Sequence, residues 1–225
     1  MYIVHGCQKM PRKIITAPTT IEDDLVVSGH WPIIGVDEVG RGPLAGPVVT
    51  CALVLPAGLV IEGVNDSKKV TAPRREKLAA IIKESALAYA FGIVSAEEID
   101  KINILQATML AMQQAVDVVY NKMAQEGWLL EKPAIALVDG NTPPQCPCKV
   151  ICVTQGDSKS HLIAAASILA KVERDNIMEE LHKQYPEYGF NTHKGYGTAA
   201  HREALKKHGL CPQHRRSFCK NAKFL

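Results

Sequence analysis

Five short apolar runs with strand-like patterning are spread along the chain. The first two, IIGVDEV (33–39) and GPVVTCALVLP (46–56), flank the segment GRGPLAG and predict two antiparallel strands joined by a glycine-rich connection. The run ALAYAFGIVS (86–95) predicts a third strand. The last two, AIALVDGN (134–141) and KVICVTQGD (149–157), end in an aspartate beside glycine, as buried parallel strands do when their polar residues lie at the carboxyl end.

Apolar residues at spacings of three and four predict the helices between these strands. One helix begins near Pro73, because proline suits the first helical turn. A longer helix presents one apolar face, formed by Ile102, Leu105, Met109, Met112, Val116, Val119 and Met123. Another runs from Ser158 to about Lys183 with Ser158 or Ser160 as its cap, and a short one covers about 198–208. This order of elements predicts an α/β fold.

The predicted elements divide the chain unequally. Residues 1–30 lack a long periodic pattern and are expected to form a partly ordered N-terminal arm. Residues 31–225 are expected to form one domain, whose last part, about 175–225, is a helical C-terminal region.

The composition is that of an ordinary globular protein. Of 225 residues, 47% are hydrophobic, 22% are charged and 5% are aromatic. No apolar run reaches the roughly 18 residues that span a bilayer, and the first residues lack the pattern of a signal peptide. We therefore expect a cytoplasmic protein, with the monomer as the default state.

Seven cysteines in a chain without an export signal favour free thiols over a disulfide framework. The segments CPCKVIC (146–152) and CPQHRRSFC (211–219) raise the alternative of a zinc site. Their spacing matches no usual zinc-finger pattern, and Cys152 falls inside a predicted strand. Buried or loop thiols are the preferred interpretation.

Positive charge is concentrated towards the C-terminus. The net charge is +3, but residues 171–225 hold eleven Lys and Arg against six Asp and Glu, while residues 1–170 hold fifteen against seventeen. A basic region beside an acidic site is compatible with a polyanionic substrate, although basic surfaces are common.

Acidic residues occur in or after three of the predicted strands, namely Asp37 with Glu38, Asp139, and Asp157. Taken singly, each aspartate is better explained by a turn or a helix cap. If the strands are neighbours, the carboxylates converge and repel one another unless a cation lies among them. An all-oxygen cluster suits Mg²⁺ or Mn²⁺, and two such ions about 4 Å apart are a recurrent device for hydrolysing phosphodiesters.

Strand geometry predicts different roles for the adjacent acids Asp37 and Glu38. Successive residues of a regular strand point to opposite faces of the sheet. The two side chains are therefore not expected to reach one site unless the strand is bulged, and Asp37 ranks above Glu38 as a direct metal ligand.

Seven sequence blocks, in order from about residue 33 to 218, resemble one family. They are GVDEVGRGPLAGPVV, NDSKK, NILQATMLAM, LVDGN, GDSKS with IAAASILAKVERD, HKGYGT and HRRSF. Together they resemble ribonuclease HII, the bacterial type 2 ribonuclease H. The resemblance implies a ribonuclease H-like fold, with a mixed five-stranded sheet flanked by helices and a helical C-terminal extension. It also implies metal-dependent cleavage of RNA in RNA/DNA hybrids and incision 5′ to a single ribonucleotide in duplex DNA.

The resemblance also assigns site residues. It places the four active-site acids of the family on Asp37, Glu38, Asp139 and Asp157, and the glycine-arginine-glycine motif on Gly40, Arg41 and Gly42. A bare backbone at this motif lets the main chain approach the 2′-hydroxyl that distinguishes RNA from DNA, and Arg41 can add a phosphate contact. The family's substrate-sensing tyrosine falls on Tyr196.

Four basic residues are further candidates for contacts with substrate phosphates. Lys68 and Lys69 lie in the polar loop before the first long helix, and Arg215 and Arg216 lie near the end. A solvated surface is the competing interpretation for each.

Three features depart from the family pattern. Gln155 stands before Gly156 where the family usually has lysine, the arm before residue 31 has no clear counterpart, and Cys146, Cys148 and Cys152 bracket a loop between two strands that carry acids. The ending NAKFL contains no convincing clamp-binding motif, so recruitment by a replication clamp stays open.

Three alternatives compete with this interpretation. A type 3 ribonuclease H would need a larger N-terminal domain than 30 residues provide, and typically has threonine in the middle of the motif that is GRG here. A non-catalytic nucleic-acid-binding module would be expected to lose one of the acids. A phosphatase acting on small nucleotides would not need the basic C-terminal region.

Overall fold

A mixed five-stranded sheet forms the centre of the molecule. The computed structural model describes residues 15–129 and 134–220. The strands are β1 (Ile33–Val39), β2 (Val48–Val54), β3 (Ala88–Val94), β4 (Ile135–Asp139) and β5 (Lys149–Val153), and their order in the sheet is β3-β2-β1-β4-β5. Strands β1, β2 and β3 are antiparallel neighbours, whereas β4 and β5 run parallel to β1. The predicted mixed sheet is confirmed.

Helices cover both faces of the sheet. Helix α2 (Ala72–Ser85) and helix α4 (His161–Gln184) cover one face, and helix α3 (Ala96–Gln125) covers the other. Alternate residues of β1 therefore enter different cores, so that Ile33 packs on the α4 side and Ile34 packs on the α3 side. None of the helices in the described ranges is both long enough and apolar enough to cross a membrane.

Helix α3 is bent, and its buried face differs from the apolar face predicted from the sequence. Asn103 adopts a left-handed conformation with φ of 65° inside the helix, and its side-chain Oδ1 accepts the main-chain N–H groups of Leu105 and Gln106. The helical turn before Asn103 therefore does not continue the face of the residues that follow it. Leu105, two residues after the break, is 41% exposed, whereas Met112 and Met123 are buried as predicted.

The segment after β5 resolves the two capping candidates. Ser160 is the cap of α4, because its hydroxyl accepts the N–H of Ile163, while Ser158 lies in a short 3₁₀ turn (Gly156–Ser158). The prediction of a buried β5 is only partly right, because β5 is an edge strand whose first residue, Lys149, is exposed.

The C-terminal region is helical and has its own small core. It contains α5 (Phe190–His193), α6 (Ala199–His208) and α7 (Arg216–Cys219). The buried residues of its core are Ala45, Met178, Leu181, Tyr188, Phe190, Leu205 and Cys211. Ala45 is part of the glycine-rich connection between β1 and β2, so this core packs directly against that connection.

The described part of the N-terminal arm contains a helix, α1 (Thr20–Val27), that docks on the start of α4. Glu22 is 8% exposed, and its Oε1 accepts the hydroxyl of Ser160 at 2.6 Å and the N–H of Leu162 at 2.8 Å. A carboxylate is stabilised at this position because helix N-termini carry unpaired N–H groups and a partial positive charge. The remainder of the predicted arm (1–14) and the ending searched for a clamp motif (221–225) lie outside the described residues.

Replacing Glu22 is expected to destabilise the protein although it lies far from the sheet centre. Glu22→Ala removes two hydrogen bonds to a buried carboxylate and should lower the free energy of unfolding by about 1.5–3 kcal/mol. Asp24→Ala, at an exposed position of the same helix, is the matched control. Urea denaturation measures both variants, and equal unfolding midpoints would contradict the capping role.

Candidate active site

Three carboxylates converge at the carboxyl end of the sheet. Asp37 and Glu38 lie near the end of β1, and Asp139 is the last residue of the parallel neighbour β4. One oxygen from each of the three side chains lies within 4.8 Å of the others, and these three residues are here termed the acid group. The sheet order, with β4 beside β1, produces this convergence.

Glu38 corrects the expectation drawn from strand alternation. The register of β1 with β2 is continuous through Asp37 and Glu38, so there is no bulge, and the two side chains leave the sheet on opposite faces. Glu38 nevertheless reaches the group, because β4 stops at Asp139 and leaves the end of β1 without a neighbour on that side. The long Glu38 side chain lines one cavity with Arg41 and Asp139.

The convergence is electrostatically unfavourable without a cation. Asp37 is 5% exposed, and burial, followed by repulsion from Glu38 and Asp139, raises its pKa well above the ordinary value. Burial also raises the pKa of Glu38, and the charge of Arg41, 3.4 Å away, only partly opposes this shift. The N–H of Glu38 donates to Asp37 Oδ1 at 2.7 Å and fixes that carboxylate in place.

Asp157 lies beside this group and not within it. The N–H of Gly156 donates to Asp139 Oδ1 at 2.7 Å, which ties the turn that carries Asp157 to the end of β4. Burial, then repulsion from Asp66 and Asp139, raises the pKa of Asp157. Asp157 is therefore placed as a fourth acid at the margin of the three-carboxylate group.

The donor chemistry of the group fits a hard divalent cation. Its ligand atoms are all carboxylate oxygens, and a bound cation would relieve the repulsion that raises the pKa of Asp37. The cysteines do not form a competing site in the described ranges. Cys146 and Cys148 pack in the α3-side core, whereas Cys211 belongs to the C-terminal core, and the six described cysteines are free thiols.

The glycine-rich connection, residues 40–47 and here termed the GRG loop, follows the acids directly. Gly40 is buried with φ of +98°, and a Cβ built on it would lie 2.2 Å from Nε of Arg174. Glycine is required at this position by both the backbone conformation and the close approach of Arg174. Gly40 therefore allows the GRG loop to pack closely against the side chain of Arg174.

Gly42 and Arg41 form the exposed side of the GRG loop, next to Tyr196. Both residues are exposed, and a Cβ built on Gly42 would lie 3.8 Å from Cε1 of Tyr196. The ring of Tyr196 is itself exposed, at 46%. The two motifs singled out from the sequence are thus adjacent on one surface.

The four basic candidates for phosphate contact have different surroundings. Lys68 is exposed, with Nζ 4.0 Å from Oδ2 of Asp157, and Lys69 pairs with Asp66 at 3.6 Å. Arg216 is exposed at the start of α7. Arg215 contradicts its prediction, because its side chain is fully buried and donates to main-chain carbonyl oxygens of the GRG loop.

A chain of neutral histidines supports the Tyr196 backbone from behind. His201 Nδ1 donates to the carbonyl of Tyr196 at 3.0 Å, so its Nε2 accepts, and the acceptor faces His214 Nε2 at 3.0 Å. His214 therefore donates through Nε2, and its Nδ1 accepts the N–H of Cys211 at 3.0 Å. Each ring nitrogen has one role only when both imidazoles are neutral.

Acidification is expected to destabilise the protein through these histidines. Burial lowers the pKa of His201 and of His214 to about 4, below the ordinary 6.5. Burial of the two neutral imidazoles thus contributes stability above pH 6.5, and this contribution is lost as the pH falls towards 4. The measurement is the urea midpoint between pH 8 and pH 4.5, made in an Asp37→Asn background because the raised pKa of Asp37 acts in the opposite direction.

The matched variants for this measurement are His201→Gln and the exposed His208→Gln. His201→Gln should make the urea midpoint fall less steeply below pH 6.5. His208→Gln should leave the pH dependence of the midpoint unchanged. An equal decline with and without His201 would show that other groups control acid unfolding.

Sequence reasoning missed Arg174, which is fully buried behind the GRG loop. A signal for it existed, because Arg174 continues the buried stripe of α4 formed by Ile163, Ala166 and Ala170. A charged residue in phase with an alanine-rich stripe indicates a buried cation with polar partners.

Comparisons with known proteins agree with the fold and indicate one family. The family model described as Ribonuclease HII matches residues 34–221. The Ribonuclease HII of Caldanaerobacter subterraneus subsp. tengcongensis is 53% identical over 197 residues, which cover 88% of this chain and 78% of the relative.

Two solved archaeal structures are also similar to the chain. The ribonuclease H2 of Pyrococcus horikoshii superposes with a TM-score of 0.65 at 28% identity, over 85% of this chain and 96% of that one. The PCNA:RNase HII complex from Archaeoglobus fulgidus contains a chain with a TM-score of 0.62 at 26% identity, over 86% and 96% of the two chains. The chain belongs to the ribonuclease HII family, and it is a metal-dependent ribonuclease that hydrolyses phosphodiester bonds.

Proposed function

We propose that this ribonuclease cleaves the RNA strand of RNA/DNA hybrids and incises duplex DNA 5′ to single embedded ribonucleotides, leaving 3′-hydroxyl and 5′-phosphate ends. The observation that carries the proposal is one continuous surface. A cavity lined by Glu38, Arg41 and Asp139 joins the acid group to the GRG loop, and Tyr196 lies against Gly42 at the other side of that loop. A site for cutting and a site for recognising a sugar are thereby side by side.

Asp37, Glu38, Asp139 and Asp157 are proposed to hold two divalent cations, Mg²⁺ or Mn²⁺, with Glu38 and Asp157 at the margins. Bound cations supply charge stabilisation at the scissile phosphate and lower the pKa of the attacking water. The protein's own contribution is to fix the carboxylates in advance. The N–H groups of Glu38 and Gly156 hold Asp37 and Asp139 in position, and this arrangement needs little reorganisation during the reaction.

Recognition of the ribonucleotide is assigned to the exposed side of the GRG loop. The 2′-hydroxyl is the group that separates RNA from DNA at one nucleotide, and the absence of a side chain at Gly42 permits close approach of a sugar. Arg41 and Lys68 are exposed cations beside the acids and are suited to neighbouring phosphates. Tyr196 offers an aromatic face for the sugar that follows the ribonucleotide.

The experiment that tests the proposal is a gel assay on three duplexes of one sequence, in Mg²⁺, Mn²⁺ or EDTA. One duplex is all DNA, one contains a single ribonucleotide, and one is an RNA/DNA hybrid. We expect one nick 5′ to the ribonucleotide, several cuts in the hybrid and none in the all-DNA duplex. An intact single-ribonucleotide duplex beside a digested hybrid would contradict the proposal.

Replacing Tyr196 should weaken recognition of the RNA-to-DNA junction more than cleavage itself. Tyr196→Ala removes an exposed ring beside Gly42, and we expect a loss of about tenfold or more in kcat/KM on the single-ribonucleotide duplex. The loss on a continuous RNA/DNA hybrid should be smaller. Steady-state kinetics on both substrates measures the ratio, and equal losses would contradict the sensing role.

The partners implied by this function are nucleic acids. The Archaeoglobus relative was solved in a complex with PCNA, and a clamp contact is a second candidate interaction for this chain. Analytical gel filtration of the full chain, with and without a sliding clamp, tests both that contact and the proposed monomeric state.

A further inference from the structure

Two fully buried arginines lie behind the GRG loop. Arg174 comes from the middle of α4, and Arg215 comes from the residue before α7, and neither side chain is exposed. The hydrogen bonds of both guanidiniums in the described chain go to main-chain carbonyl oxygens. Two buried like charges without a bonded carboxylate are costly, so their retention calls for an explanation beyond packing.

Arg215 donates hydrogen bonds to both ends of the GRG loop. Its Nη2 donates to the carbonyl of Gly40 at 2.6 Å, its Nη1 donates to that of Arg41 at 3.0 Å, and its Nε donates to that of Gly46 at 3.0 Å. The main-chain N–H of Arg215 also donates to the carbonyl of Leu44 at 2.8 Å. One side chain therefore fixes both ends of the loop.

These contacts determine where the loop's N–H groups point. In a trans peptide the carbonyl and the N–H of the next residue point in opposite directions. Because the carbonyls of Gly40 and Arg41 point inward to Arg215, the N–H groups of Arg41 and Gly42 point outward, on the exposed side. Neither N–H has an acceptor within the residues that the structure describes.

Arg174 joins the second half of the GRG loop to the segment that carries Tyr196. Its Nε donates to the carbonyl of Pro47 at 3.0 Å, its Nη2 to that of Ala45 at 3.2 Å, and its Nη1 to that of Lys194 at 3.0 Å. The N–H of Leu44 donates to the carbonyl of Gly195 at 2.8 Å and reinforces the junction. The two recognition elements are thus held against each other by one guanidinium.

We infer that Arg174 and Arg215 are positioning residues for ribonucleotide recognition, which aim the N–H groups of Arg41 and Gly42 at the substrate and fix the spacing to Tyr196. This inference rests on the proposed function. The planar guanidinium of arginine can donate to three carbonyl oxygens at once. A lysine ammonium carries the same charge but lacks this planar arrangement of donors. Preorganised donors then bind the sugar without reordering the loop.

The test is the discrimination ratio, defined as the affinity for a single-ribonucleotide duplex divided by that for the same duplex in all-DNA form. It is measured by fluorescence anisotropy with Mg²⁺ in an Asp37→Asn background, which prevents cleavage. Arg215→Lys should lower the ratio about tenfold, as expected when a hydrogen bond to the ribonucleotide is lost. Affinity for the all-DNA duplex should change less than about twofold, because phosphate contacts carry it.

With the acids intact, kcat/KM of Arg215→Lys on the single-ribonucleotide duplex should fall about 100-fold, because misplacement by about 1 Å is sufficient for such a loss. Arg75→Lys is the matched control, since Arg75 is also buried and donates to the carbonyls of Ser67 and Val70. Met123→Ala, in the core on the α3 side, controls for lost stability. Both controls should keep the discrimination ratio of the parent.

The outcomes separate the inference from the proposed function. A parent protein with a ratio near one overturns both, whereas a discriminating parent with an equally discriminating Arg215→Lys variant overturns the positioning role alone. If Arg215→Lys does not fold, Arg174→Lys carries the same prediction through its three carbonyl contacts. An unchanged ratio in a folded Arg174→Lys variant likewise overturns the inference.

Discussion

Asp37→Asn should abolish turnover and at the same time stabilise the metal-free protein. Asn retains the size of the side chain and an oxygen to accept the N–H of Glu38, but it removes a buried charge from the group with Glu38 and Asp139. Charge stabilisation by bound cations is worth several kcal/mol, so we expect kcat to fall by about 10³-fold or more. Binding of uncleaved duplex should stay close to that of the wild type.

The gain in stability follows from the raised pKa of Asp37. A carboxyl group whose pKa is raised on folding costs stability at neutral pH, and this cost shrinks as the pH falls from the folded-state pKa towards the lower unfolded-state pKa. The neutral amide carries no such cost. Thermal unfolding in EDTA should show a higher midpoint for Asp37→Asn, by about 2–4 °C for each kcal/mol gained.

Asp117→Asn is the matched control for both measurements, because Asp117 is a partly buried acid on α3 outside the acid group. It should change neither the turnover nor the midpoint by a comparable amount. If Asp37→Asn keeps activity within a few-fold of the wild type, the acid group is not the catalytic site. If it loses activity together with stability, the role of Asp37 is structural.

Removal of divalent cations should abolish activity and leave the fold intact. The acid group lies at the end of the sheet, and the hydrophobic cores do not pass through it. Dialysis against EDTA should therefore leave the far-ultraviolet circular dichroism spectrum unchanged while duplex cleavage stops. Added Mg²⁺ or Mn²⁺ should restore cleavage, and added Na⁺ at equal ionic strength should not.

Cation binding should also stabilise the folded wild type. At a cation concentration of ten times Kd, the expected gain is about 1.4 kcal/mol, and the gain should shrink in Asp37→Asn. Because protons compete for a carboxylate of raised pKa, the cation affinity should weaken as the pH falls. Full activity in EDTA, or an equal shift of the unfolding midpoint in both proteins, would contradict a metal site at these carboxylates.

The sequence was sufficient to predict the strands, because they depend on local patterns, whereas the convergence of the acids was predicted only on the condition that their strands are neighbours. Nearly continuous apolar runs define β1 and β2, and aspartates at the ends of neighbouring parallel strands meet at one edge of a sheet. The reach of Glu38 could not be predicted in this way. Strand alternation gives the face from which a side chain leaves, but the end of β4 decides whether a long side chain can pass around the sheet.

The buried arginines show a second limit of sequence reasoning. Arg215 and Arg216 are adjacent basic residues in one motif, yet Arg215 is buried and Arg216 is exposed. The difference depends on carbonyl groups of the GRG loop, about 170 positions away in the chain, which no local pattern contains. Asn103 is a similar case, since its left-handed conformation shifts the apolar face of α3 without a glycine or proline to indicate it.

The most direct test of the proposed function is to move one ribonucleotide along a DNA duplex, one position at a time, and map the nick at nucleotide resolution. If the GRG loop locates the sugar and the adjacent acids cut beside it, the nick should move in step and stay on the 5′ side of the ribonucleotide at every position. A nick that stays at one sequence, or at a constant distance from the duplex end, would contradict recognition of the ribonucleotide by this site.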